Sequence, residues 1–285
     1  MMRKLAIFFL ALLCGLSMRA QQSADGAYAV LDSLALNYLG AIQTESVESK
    51  QGESDYLIGS VRDSLLRQHL AITLFKYYKD APVMGDEAVA IHIYDKWFAT
   101  GKIAFQGEFE WLDAQTFCNL NRNTLLGMDA PVLTARKPCR GKVEVPVKGA
   151  TTILWFYDTA CSKCKVESQV LPGVLEKAVD FPVTLVAFYA GHDKKAWRAF
   201  RRSFKVKNPN VKLIHCWDPE VESDYLRLYA VISTPKMYMV APEGSVIGRR
   251  LEVESLQSLL PTARELHLLF AVIPRSEATK ESKKQ

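Results

Sequence analysis

The sequence predicts an α/β protein in which a mainly α-helical N-terminal domain precedes a C-terminal domain with helices flanking a central mixed sheet. Up to about residue 126, apolar side chains recur every three or four positions, which is helical spacing. From residue 151 to residue 268, short β-branched and aromatic runs alternate with helical ones, which is the pattern of a sheet covered by helices. Cys161 and Cys164 lie where the first of these runs turns into a helix.

In the N-terminal half, the spacing predicts helices over residues 28–39, 57–78 and 86–98, with a fourth beginning at about Glu108. Residues 44–55 are polar and contain a glycine, so we predict a loop there. This half carries no motif associated with a reaction. Its aromatic residues are therefore expected to belong to a core.

The C-terminal half begins with a predicted hairpin, in which a short strand lies on either side of Gly141 within residues 131–146. The predicted strands that follow are 151–157, 183–189, 211–215, 236–240 and 246–250. The predicted helices are 162–179, 193–205, 219–229 and 254–268. This order favours a mainly parallel inner sheet that ends in a hairpin.

The first twenty residues are typical of a secretory signal, with Arg3 and Lys4 before an apolar stretch and Ala20 as the expected last residue before cleavage. Lipid attachment at Cys14 is not favoured, because Leu13 stands where a small residue is required. No later segment is apolar enough to span a membrane. We therefore expect an exported protein, periplasmic or otherwise. The predicted segments are the signal 1–20, the helical domain 21–126, the α/β domain 127–270 and a disordered tail 271–285.

The formal net charge of +5 falls to +2 without Arg3, Lys4 and Arg19, which gives no electrostatic indication of nucleic-acid binding. Basic residues concentrate in the predicted helix 193–205, where we expect a solvated face. Docking of an acidic partner is the alternative.

Beyond the pair at 161 and 164, the mature chain has three cysteines, so at least one thiol stays unpaired. We expect Cys118 and Cys216 to be buried as small apolar residues, and Cys139 to be exposed. A bridge between Cys118 and Cys139 stays open.

Cys161 is expected at a helix N-terminus, where free N–H groups and the helix dipole stabilise a thiolate. Lys163 and Lys165 add positive charge nearby. Cys164 follows one turn later and can resolve a mixed disulfide, so the pair is predicted to be redox-active. Glu167 lies one further turn on and could accept the proton of Cys164, although an exposed helix charge explains it equally well.

These features resemble the thioredoxin superfamily: the aromatic pair Phe156–Tyr157 before the CxxC, and Thr234–Pro235 before a late strand. The Gly-x-x-Ala-Pro opening from Gly127 and the position of Glu167 resemble the TlpA/ResA-like extracytoplasmic branch. Ordinary thioredoxins bury an Asp where this chain has Trp155.

The resemblance implies a thiol–disulfide oxidoreductase. It favours a reductase that acts on exported proteins and receives its electrons from an upstream donor. It implies no cofactor beyond the Cys161–Cys164 disulfide and no bound metal. It also implies a cis bond before Pro235, facing the CxxC, with the backbone of Thr234 pairing with the substrate chain.

Three other functions fit the sequence less well. A structural zinc site usually needs four ligands in paired knuckles, and the sequence has one CxxC. A thiol peroxidase of the peroxiredoxin kind needs a proline and a hydroxyl residue where Leu154 and Asp158 stand. A non-catalytic partner-binding protein that uses the fold as a scaffold stays as an alternative, which the intact CxxC disfavours.

Overall fold

The computed structural model describes residues 24–80 and 83–272. The predicted signal, 1–20, and residues 273–285 of the predicted disordered tail lie outside the described residues. The chain divides into two compact units, one extending to Arg122 and one beginning at Asn123. Within the described part of the chain, no helix combines the length and the apolarity needed to cross a bilayer.

The N-terminal unit is helical, as predicted. Its helices are α1 (Ala24–Ala41), α2 (Val47–Ser60), α3 (Ser64–Lys79), α4 (Glu87–Ile93), which continues as a π-helical turn (Tyr94–Phe98), and α5 (Glu108–Asn121). Four aromatic rings pack inside this unit, with the Phe98 and Phe105 rings stacked and the Phe75 ring edge-on to both and to Phe117. The expectation that the aromatic residues of this half form a core is confirmed for these rings, whereas Tyr56, Phe109 and Trp111 are exposed.

The predicted loop over 44–55 and the single predicted helix over 57–78 are wrong. Helix α2 begins soon after Ser46, whose Oγ accepts the backbone N–H of Ser49 at 3.1 Å. A second cap at Asp63 accepts the N–H groups of Leu65 and Leu66 and starts α3 as a separate helix. Both caps are residue types that favour helix starts, and they decide the boundaries against the apolar periodicity.

The C-terminal unit contains one seven-stranded sheet. Its strands are β1 (Leu133–Arg136), β2 (Lys142–Val145), β3 (Thr151–Tyr157), β4 (Val183–Tyr189), β5 (Val211–Trp217), β6 (Lys236–Val240) and β7 (Val246–Gly248). The order across the sheet is β2-β1-β5-β4-β3-β6-β7. The central strands β3, β4 and β5 are parallel, and the hairpins at both edges are antiparallel. The predicted α/β fold class, with a central mixed sheet and a helical N-terminal region, is confirmed.

Helices cover both faces of this sheet. They are α6 (Ser162–Ala178), α7 (Lys194–Ser203), α8 (Tyr225–Leu228) and α9 (Val253–Val272). Strand β3 shows why both faces need cover, because all seven of its side chains are buried. Trp155 and Tyr157 join the core on one face, and Leu154 and Phe156 join the core on the other.

The largest departures from the predicted boundaries in this unit concern two helices. The helix predicted over 219–229 is reduced to α8, because Val221 and Asp224 have positive φ angles and the Asp218 carboxylate accepts the N–H groups of Glu222 and Ser223. The last helix extends to Val272, so the first two residues of the predicted tail are helical.

Candidate active site

The CxxC segment joins the end of β3 to the start of α6, as predicted. Asp158 shapes the connection: its Oδ1 accepts the N–H of Ala160 at 2.8 Å, and its carbonyl accepts the N–H of Cys161 at 3.3 Å. Cys161 then adopts an extended conformation as the N-cap of α6, with φ −74° and ψ 122°. Its Sγ accepts the backbone N–H of Cys164 at 3.1 Å, which is the capping interaction that a serine oxygen commonly makes.

The two thiols differ sharply in exposure. Both are free in this structure, with Cys161 partly exposed and Cys164 buried. The first cysteine can therefore meet a substrate, whereas the second is reached from Cys161.

The two pKa values move in opposite directions. Partial burial raises the pKa of Cys161, but hydrogen bonds from the Cys164 thiol and backbone and from the Thr234 side chain outweigh it, so the net pKa is lowered. Burial, together with the hydrogen bond with Cys161, raises the pKa of Cys164 to about 12. One group is thus prepared to be a thiolate while the other holds its proton.

Lys163 lies at the site through both its side chain and its backbone. Its ammonium lies 2.6 Å from Oε1 of Glu252, the residue that precedes α9. A hydrogen bond from the Lys163 backbone is among the interactions that lower the pKa of Cys161.

Thr234 and Pro235 lie against the CxxC. The bond between them is cis, as predicted; a second cis bond, before Pro146, was not foreseen. Strand β6 follows directly and pairs with β3, with Lys236 opposite Phe156, so the sheet brings this loop to the end of β3. The Cys161 thiol donates to the carbonyl oxygen of Thr234 at 3.3 Å.

Glu167 is buried, with 6 % of its surface exposed, which excludes the alternative of an exposed helix charge. Trp155 Nε1 donates to its Oε2 at 2.9 Å. Burial raises the pKa of Glu167, and the hydrogen bond from Trp155 and the charge of Lys163 offset only part of that effect.

Trp155 is the site residue that the sequence reasoning missed. It was noted only as a departure from the buried Asp of ordinary thioredoxins, yet it is fully buried and holds the carboxylate one turn beyond Cys164. A usable signal existed, because a buried indole N–H usually finds a partner.

The remaining cysteines lie outside the site. Cys118 and Cys216 are buried, as expected, and burial raises the pKa of each thiol. Cys139 is exposed and is not bonded to Cys118. Across residues 24–80 and 83–272, no group of three or more His, Cys, Asp or Glu side chains could hold a metal ion.

Comparison with known proteins supports the fold. A thioredoxin-like protein from Bacteroides caccae matches with a TM-score of 0.62 and 14% identity over 82% of this chain and 84% of its own. The thioredoxin domain of a thiol-disulfide oxidoreductase from Bacteroides vulgatus shares 19% identity over 48% of this chain and 96% of its own, with a TM-score of 0.42.

A thiol:disulfide interchange protein from Bacteroides sp. shares 18% identity over 55% of this chain and 98% of its own, with a TM-score of 0.41. No family model and no curated protein matches the chain. The first of these structures spans most of the chain, which shows a thioredoxin-like fold at low sequence identity.

Proposed function

We propose that this protein is a thiol–disulfide oxidoreductase that reduces disulfides of exported proteins through Cys161 and Cys164. The proposal is carried by one observation: a partly exposed cysteine of lowered pKa caps a helix and receives the N–H of a buried cysteine of raised pKa. That asymmetry is what a nucleophile and its resolving thiol require.

In the first step, the Cys161 thiolate attacks one sulfur of a substrate disulfide. A bond forms between Cys161 Sγ and that sulfur, and the other substrate sulfur leaves as a thiolate. In this proposal the backbone of Thr234, whose carbonyl oxygen lies 3.3 Å from Cys161 Sγ, pairs with an extended substrate chain.

In the second step, Cys164 loses its proton and attacks Cys161 Sγ. The Cys161–Cys164 disulfide forms and the bond between Cys161 Sγ and the substrate sulfur breaks. That sulfur leaves and takes up a proton, so two electrons have passed to the substrate. The proton of Cys164 needs an acceptor, because burial raises its pKa to about 12. Glu167 takes this role in the proposal, directly or through water, since its raised pKa makes the carboxylate a stronger base than an exposed one.

We also propose a cellular compartment and a source of electrons for this reaction. The predicted signal places the protein in an exported compartment, and the Gly127 opening together with Glu167 favours the TlpA/ResA-like branch. An upstream dithiol protein would return two electrons to the Cys161–Cys164 disulfide and complete the cycle.

The test is the reduction of a model protein disulfide by the purified protein and three variants. Cys161→Ser is expected to abolish reduction, and Cys164→Ser to accumulate mixed disulfides with the substrate. Cys139→Ser removes an exposed thiol outside the pair and is expected to leave the rate unchanged. Full activity of Cys161→Ser would refute the proposal.

The pH dependence of alkylation separates a catalyst from a scaffold. Cys161 should react with iodoacetamide from a pH below the ordinary thiol pKa of about 8.5, because only its thiolate is nucleophilic. Cys164 should stay unmodified until the protein unfolds. Mass spectrometry of the modified peptides measures the alkylation of both cysteines. If Cys161 reacted only near the ordinary thiol pKa, the result would favour the non-catalytic scaffold.

A further inference from the structure

A basic groove lies away from the CxxC, between the β1–β2 hairpin, β5 and α7. It has a volume of 600 Å³ and is lined by five basic side chains, namely Lys137, Arg201, Arg202, Lys205 and Lys212. The only carboxylate in its lining is Glu144. The basic residues of α7 form the solvated face that the sequence predicted, because they are exposed or half-exposed above the buried rings of Trp197 and Phe204. Three of the five basic residues of the groove lie on or just after α7, so part of that face borders the groove.

The floor of this groove is a strand edge. Strand β5 pairs with β4 along its whole length, from Val211 to Trp217. On its other side β1 meets it only where Arg136 faces Trp217. Four consecutive residues of β5, from Lys212 to His215, line the groove, so in the described chain this edge has no strand partner there. An open edge can accept an added strand.

The positive charges of the groove are not neutralised from within. In the part of the chain that the structure describes, none of the five basic side chains is in an ion pair with a carboxylate. The guanidinium of Arg201 lies 5.6 Å from the ring centre of Trp197, which orients it without cancelling its charge. A negatively charged ligand would therefore meet unshielded cations.

His215 adds an unused polar group. Both of its ring nitrogens are buried without a hydrogen-bond partner among the described residues. Burial and then the charges of Lys205 and Arg201 lower the pKa of His215 to about 4, so the ring is neutral at neutral pH. A buried polar group without a partner is costly, and a ligand carboxylate or amide could supply the missing partner.

We propose that the basic groove binds an acidic segment of another protein in an extended conformation, paired with the edge of β5 from Lys212 to His215. A peptide fits better than a small anion for two reasons. The groove offers a strand edge, which a phosphate cannot use, and apolar side chains such as Val143, Val147 and Leu213 lie among its cations. This site is separate from the CxxC and does not rest on the redox assignment.

The test is the binding, measured by calorimetry, of a peptide in which Glu and Val alternate. Its length of about eight residues lies within the usual range of β-strands. The protein variant Arg202→Glu/Lys205→Glu is expected to weaken binding about tenfold or more, through lost attraction and new repulsion. The matched control, Lys194→Glu/Lys195→Glu, carries the same charge change on α7 outside the groove lining and is expected to bind nearly as well as the unchanged protein.

Two further probes define the binding mode. A peptide with alternate backbone nitrogens methylated should lose binding, because it cannot pair with a strand edge. The ring signals of His215 in NMR spectra should shift on addition of the parent peptide.

Several results would overturn the proposal. They are equal binding by the two charge-reversed variants, undiminished binding of the methylated peptide, and displacement of the peptide by inorganic phosphate at constant ionic strength. Self-association that Arg202→Glu/Lys205→Glu abolishes would show instead that a second copy of the chain occupies the groove.

Discussion

Two buried side chains, Trp155 and Glu167, distinguish this site at the level of single residues. The indole N–H donates to the carboxylate at 2.9 Å, and both groups are enclosed. A buried carboxylate favours the protonated form, so the tryptophan partly offsets a cost that the carboxylate brings to the fold. That cost is the chemical basis of the proton acceptance proposed for Glu167.

Glu167→Gln provides a test with a defined sign. Because the folded-state pKa of Glu167 is raised above its unfolded value, its contribution to stability is fully present below about pH 4.3 and is lost as the pH rises through the folded-state pKa. Glutamine stays neutral and can still accept from Trp155. The free energy of unfolding of the variant, relative to the unchanged protein, should therefore rise between about pH 4 and pH 8.

The same variant should slow the resolution of mixed disulfides, because Cys164 loses its proposed proton acceptor. Urea titrations at both pH values and the decay rate of a preformed mixed disulfide measure the two effects. Glu265→Gln, on the exposed surface of α9, is the control and should change neither. A stability difference independent of pH would contradict the buried charge, and an unchanged decay rate would contradict the role of Glu167.

Between elements, a buried ion pair joins α2 to the start of α4. Lys50 Nζ lies 2.7 Å and 3.0 Å from the two oxygens of Asp86, and both residues are buried. The sequence analysis placed Lys50 in a predicted loop, because residues 44–55 are polar and contain a glycine. The pair holds two helices together at a point where an unpaired charge could not be buried.

Asp86→Asn should lower the free energy of unfolding of the N-terminal unit by about 3–5 kcal/mol, because it leaves Lys50 buried without its counter-charge. Replacing both residues, as Lys50→Met/Asp86→Leu, should recover most of that loss, since no buried charge remains. Chemical denaturation followed by helical circular dichroism measures both. Asp95→Asn removes the exposed pair with Arg122 and should cost less than about 1 kcal/mol.

In the whole molecule, all of the site residues named above belong to the unit that begins at Asn123. The residues in direct contact at the site come from β3, α6 and the loop before β6, within one sheet and its helices. The chemistry should therefore be independent of the helical unit.

A fragment beginning at Asn123 is expected to fold and to keep the reduction potential of the Cys161–Cys164 pair. The measurement is equilibration with glutathione redox buffers, with the same fragment carrying Cys161→Ser as the control. A shift of about 30 mV, which is a tenfold change in the equilibrium constant for two electrons, would show that the helical unit helps to build the site.

Features that depend on local pattern could be predicted from the amino-acid sequence. Runs of β-branched and aromatic residues identified β3, β4 and β6 to the residue, and the turn from strand to helix located Cys161 at the start of α6. Helix boundaries were less certain where a cap such as Asp63 competes with a continuing apolar period.

Contacts between residues far apart in the sequence could not be predicted from local pattern. Cys161 contacts a residue 73 positions away, Lys163 pairs with one 89 positions away, and Trp155 reaches Glu167 across the strand–helix interface. The basic groove likewise exists because β1 leaves the edge of β5 after one residue pair. Local periodicity reports which face of an element is buried. The register and divergence of the strands determine which residues each buried or charged group contacts. Both follow from the packing of the whole sheet.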